Sequence, residues 1–165
     1  MKRKPVIKKS LLLEKIVEQL TEGLNVLEKA AQASHAEATH ESSKAENKYD
    51  TRGLEAAYLA GGQARQAREL LESIKTYSTL QLRDFKEDEA IDLTALVDLE
   101  MDGTSSLFFL GPKNGGLEII WQKQEITVIT PQSPLGQNLM GKKVGSKWTV
   151  KLGGRATDYG VRGVS

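Results

Sequence analysis

Between Thr79 and Ala90 the hydrophobic period of the chain changes from seven residues to two, and this constrains the fold more than any other feature. Before the change, Leu13, Leu20, Leu27 and Ser34 recur every seven residues, as do Val17, Leu24, Ala31 and Ala38. Two interleaved heptad rows predict a helix with a coiled-coil seam. Ser10 reads as its N-cap, with Glu14 placed to suit the helix dipole. About 30 helical residues would reach about 45 Å at 1.5 Å per residue. A second helix is predicted from Asn47 or Thr51 to Leu80. Its rows are Ala57, Ala64 and Leu71, and Ala60, Ala67 and Ile74. Both seams taper from large residues to small, as they would in an antiparallel hairpin with its large residues at the base. Gly61-Gly62 reads as a point of close approach opposite Leu24 or Leu27.

After the change, Ile91, Leu93, Ala95, Val97, Leu99 and Met101 alternate with mostly polar neighbours, the pattern of a half-buried strand. Asp102-Gly103 is a hairpin turn signal. Further strands are predicted over 106–110, 117–121, 125–130 and 147–152, with one more in the glycine-rich tail. Gly111–Gly116 reads as a loop. Ser133 followed by Pro134 reads as an N-cap and first helical position, opening a short helix that Gly141 ends. The fold class expected is α+β: a helical hairpin over residues 1–82 and a small antiparallel β domain over 83–165.

Composition narrows the function. Lys plus Arg number 23 and Asp plus Glu 22, a balance unlike that of a strongly basic nucleic-acid binder. With no cysteine there is neither a disulfide nor a thiolate metal site, which suits an intracellular chain. No apolar run approaches the ~20 residues of a membrane span, and the basic start lacks the uncharged core of a secretory signal. A cytoplasmic monomer is expected.

The segment between the helices, Glu41 to Arg52, alternates in charge: Glu41, Glu46 and Asp50 stand among Lys44, Lys48 and Arg52. Glu46 and Asp50 share a face if the second helix begins early enough. Most such segments are simply solvated tips. A long hairpin with carboxylates at its end can also deliver them to a distant target. His35 and His40 are five apart and do not share a helix face as zinc ligands four apart would. Phosphate-loop and nucleophile-elbow patterns are absent. Trp121 and Trp148 read as core. Any chemistry belongs to the tip.

The run Ser133-Pro-Leu-Gly-Gln-Asn-Leu-Met-Gly-Lys-Lys-Val-Gly-Ser-Lys-Trp-Thr-Val150 resembles the C-terminal signature of the Gre-type bacterial transcription elongation factors (GreA/GreB-like). That signature has a Ser-Pro-Leu-Gly start, a short apolar helix, Gly-Lys-x-x-Gly and a strand. Phe109-Leu110-Gly111-Pro112 resembles the family's apolar segment before its long loop. The order of parts agrees along most of the chain, and the sequence match is sharp from Phe109 to Val150. The resemblance implies an FKBP-like β domain that docks on RNA polymerase at the rim of the secondary channel, with Ser133, Pro134 and Leu135 contributing to docking. It implies a hairpin that enters the channel, near the RNA 3′ end. It also implies acidic tip residues that help hold a second Mg²⁺, shared with the polymerase, for hydrolysis of backtracked RNA.

The tip departs from the family pattern Asp-x-x-Glu-Asn. Glu46-Asn47 matches its end, but Ser43 stands where Asp is expected. Only Glu46 carries over residue by residue; Asp50 and Glu41 are inferred as further carboxylates. Gly145-Ser146 replaces the common Gly-Asp. The expected function is therefore an accessory factor of RNA polymerase, not an enzyme alone, that modulates elongation with or without stimulating cleavage. The alternatives are an FKBP-like prolyl isomerase or chaperone, for which the β domain has few aromatics, and a coiled-coil adaptor.

Overall fold

The computed structural model describes residues 7–39 and 52–165. The fold is α+β, with helices and a six-stranded sheet. It separates into two compact units: Met1–Lys15 with Thr79–Ser165, and Ile16–Ser78. The first turns of the first helix thus fall in the same unit as the sheet. No described helix is long and apolar enough to cross a membrane.

Helix α1 spans Lys9–Thr39 and α2 spans Arg52–Ser78. Ser10 therefore lies inside α1 rather than capping it. Within the helical unit, a Cβ on Gly23 would meet Leu70 Cδ1 at 3.7 Å. The two residues lie about equally far from the segment joining the helices, as the two arms of an antiparallel hairpin require. The buried positions differ in part from the heptad reading. Among the described residues of α1 the buried apolar ones are Leu12, Ile16, Leu20 and Leu24, a row spaced by four, with Leu13, Val17 and Leu27 half-buried beside it. In α2 the inner positions are Gln63, Ala67, Leu70, Ser73, Ile74 and Tyr77, while Ala64 is exposed and Leu71 is 50% exposed. Alanine fits any face of a helix, so the alanine-rich start of α2 did not define the phase. Gly61 and Gly62 are exposed, and a Cβ on either would meet nothing within 4 Å, so they are not a close-approach point.

The sheet unit comprises β1 (Leu96–Met101), β2 (Thr104–Leu110), β3 (Glu118–Trp121), β4 (Gln124–Ile129), α3 (Pro134–Leu139), β5 (Lys147–Leu152) and β6 (Arg155–Val164). The strand order is β3-β4-β2-β1-β6-β5. Asp102 and Gly103 both take positive φ, 48° and 82°, closing the expected two-residue hairpin between β1 and β2. The sheet is mixed rather than antiparallel, because β2 and β4 run parallel. The chain leaves β2 through the loop and β3, and β3 pairs only with β4, which brings β4 back along β2 in the same direction. Phe108, Phe109 and Leu110 are buried in succession, so both faces of β2 are covered, as parallel pairs require. The core gathers Val97, Leu99, Phe108, Leu110, Ile129 and Val161 from the strands with Leu139 from α3 and Phe85, Ile91 and Ala95 from the preceding segment.

β1 starts at Leu96 and not at Ile91, because Thr94 takes φ 72°. Three bonds fix this strained β-branched residue. Its N–H donates to Leu110 O at 2.8 Å, its Oγ1 accepts from Arg83 N at 3.1 Å, and its carbonyl accepts from Lys9 Nζ at 3.2 Å. Lys9 is only 7% exposed. Its ammonium also donates to Arg83 O and lies 5.0 Å from the Phe85 ring centroid. Burial pushes the Lys9 pKa below the ordinary lysine value; Asp84 opposes this and Arg83 adds to it.

Candidate docking corner

The segment from Thr130 to Gly141 turns the chain from β4 into α3 and back towards Ile91. Ser133 is extended, with φ −69° and ψ 153°, and its Oγ accepts from Gly136 N at 3.1 Å. The same hydroxyl donates to Thr130 O at 2.7 Å, and Ser133 N donates to Thr130 O at 3.0 Å. Pro134 follows at the first helical position, where a missing N–H costs nothing. Gly136 is buried so close to β4 that a Cβ there would stand 1.9 Å from Thr130 O. Leu135 is half-buried and packs against the core. Gly141, at φ 78°, ends the helix, and its N–H donates to Ile91 O at 2.8 Å.

The three sequence-derived docking residues thus stand together in different states. The Ser133 hydroxyl is engaged in building the turn, Leu135 is partly spent on the core, and Pro134 faces solvent with Gln132, Gln137 and Asn138. Gly136 was missed as a structural requirement. Its signal was a glycine inside a helix, where propensity disfavours it.

Beside the end of α3 lies a cleft of about 460 Å³, lined in part by Arg83, Asp88, Glu89, Asp92, Met140 and Lys143. Sequence reading saw only a charged linker there. Arg83 pairs with Glu89 at 3.5 Å and Asp92 at 3.6 Å. Glu89 Oε2 accepts from Lys86 N at 2.7 Å. That bond, with help from Arg83, holds the Glu89 carboxyl below the usual carboxylate range.

Glu41, Glu46 and Asp50 lie outside the described residues, as does His40. Among the described residues no group of three or more His, Cys, Asp or Glu side chains could hold a metal. Trp148 packs against the core, stacked on Tyr159 with ring centroids 5.2 Å apart.

No protein-family model matches the chain, and no curated protein matches it. Among solved structures, the chain is similar to GreA factor homolog 1 (Gfh1) of Thermus thermophilus, at 19% identity over 90% of this chain and 94% of that one, with a TM-score of 0.36. It is similar to the transcription factor Gfh1 at 22% identity, over 90% and 92% of the two chains, with a TM-score of 0.36. It is also similar to Thermus aquaticus Gfh1, at 20% identity over 94% and 93%, again with a TM-score of 0.36. Likenesses of this strength do not assign a family.

Proposed function

We propose that this chain is an accessory factor that binds bacterial RNA polymerase at its secondary channel and modulates elongation. The observation that carries the reading is the corner itself. The run with the Gre-type pattern folds into a turn held by Ser133 and Gly136, with Pro134 presented outward. A docking surface benefits from such preorganisation, because less motion is lost on binding. Pro134 and the exposed part of Leu135 are the contacts, and Ser133 positions them. The helical hairpin supplies an arm of the kind that can enter a channel.

On this reading Glu46, with Asp50 and Glu41, presents carboxylate inside the channel. Oxygen donors suit Mg²⁺, and an ion shared with the polymerase would supply Lewis-acid activation of water. Three acids among Lys44, Lys48 and Arg52 would hold Mg²⁺ weakly without the polymerase's own ligands. Ser43, standing where the family pattern has Asp, favours a second reading: a regulator that occupies the channel without promoting cleavage. Backtracked elongation complexes separate the two. The first reading expects stimulated cleavage that Glu46→Ala abolishes with binding intact; the second expects binding without cleavage.

A further inference from the structure

We propose that the outer edge of β5, which no described strand covers, accepts an extended acidic segment of a partner protein, added as a further strand of the sheet. β5 is the last strand in the order, and its pairing with β6 runs unbroken from Lys147↔Gly160 to Leu152↔Arg155. The two-residue turn Gly153-Gly154 has both φ values positive, 57° and 80°. In such a hairpin the flanking pair, Leu152 and Arg155, exchanges both backbone bonds. Alternation then turns Trp148, Val150 and Leu152 towards β6. It leaves the N–H and C=O groups of Lys147, Thr149 and Lys151 pointing outward.

The side chains of these same three residues lie on one face of the sheet and are exposed. Among the described residues, the Lys147 and Lys151 ammonium groups make no ion pair or hydrogen bond. They stand about 13 Å apart at strand spacing. The nearby acids are engaged: Glu100 pairs with Arg162, Asp102 with Arg155 at 3.9 Å, and Asp158 accepts from Thr149 at 2.6 Å. Lysines on an edge repel a like strand, so pairing of β5 with a second copy is disfavoured. The same charges favour a strand with carboxylates at alternate positions.

Outward backbone donors and acceptors match a polypeptide rather than a phosphate backbone.

The test uses the full chain and a fluorescent peptide alternating Glu and Val, read by anisotropy and by amide NMR shifts. Saturable binding should perturb the amides of 147–152. It should weaken by about tenfold or more in the Lys147→Glu, Lys151→Glu double variant, which should prefer a Lys-Val peptide instead. N-methylation of the peptide bonds facing β5 should abolish binding. The proposal is overturned if the acidic peptide does not bind, if N-methylation leaves binding unchanged, or if single-stranded RNA binds Lys147 and Lys151 in preference. Unchanged circular dichroism of the double variant establishes that its fold is intact.

Discussion

Gly136 stands against Thr130 so closely that a Cβ on it would lie 1.9 Å from the Thr130 carbonyl oxygen. The neighbour is backbone and cannot turn aside. Gly136→Ala must therefore push α3 away from β4 or break the turn, at a cost of about 2–4 kcal/mol. Urea denaturation followed by tryptophan fluorescence checks this, and an unchanged midpoint would contradict the packing.

Ser133 and Pro134 should separate structure from docking. Ser133→Ala removes the cap on Gly136 N and the bond to Thr130 O, and should cost about 1 kcal/mol of stability. Pro134→Ala removes no bond and should change stability by less than about 1 kcal/mol. Its effect should instead appear in polymerase binding.

The glycines of α2 make a contrasting prediction. Because a Cβ on Gly61 or Gly62 would meet nothing within 4 Å, Gly→Ala at either should stabilise the chain by about 0.5–1 kcal/mol. A thermal melt that falls instead would restore the idea of a close approach there.

Lys9 and Glu89 both make stability rise with pH, in different ranges. Lys9 has a lowered pKa, so above its folded value the unfolded chain binds the extra proton. Its contribution should make stability rise with pH from that value up to the ordinary lysine value of 10.5. In Lys9→Met that rise should be missing from the denaturation midpoints. Glu89 has a lowered carboxylate pKa. Its contribution is present above the unfolded value of 4.5 and is lost as pH falls through the folded value. Glu89→Gln should flatten that acid-side loss.

What the sequence made legible was local. Ser133 before Pro134 marks a cap, and Asp102-Gly103 marks a hairpin, because each signal is contained within a few residues. The α+β class followed from the change in period. The parallel pairing of β2 with β4 was not legible, since it joins strands across an intervening loop and strand. Thr94 broke the expected long first strand because bonds from Lys9, Arg83 and Leu110 hold a backbone conformation that its own side chain disfavours. The α2 seam was legible at Ala67 and Ile74, while the alanine row through Ala64 gave no phase. At the candidate site, the corner's geometry was readable. The division of labour among Ser133, Pro134 and Leu135 needed the packing of Gly136. The tip carboxylates Glu41, Glu46 and Asp50 lie outside the described residues.

The most direct test is the equilibrium affinity of core RNA polymerase for the wild-type chain and for Pro134→Ala, with folding followed in parallel by tryptophan fluorescence. The account predicts saturable wild-type binding that Pro134→Ala weakens by more than 1 kcal/mol, roughly fivefold, while its unfolding midpoint stays close to wild type. A wild-type chain that does not bind polymerase, or a binding loss that only follows unfolding, would contradict it.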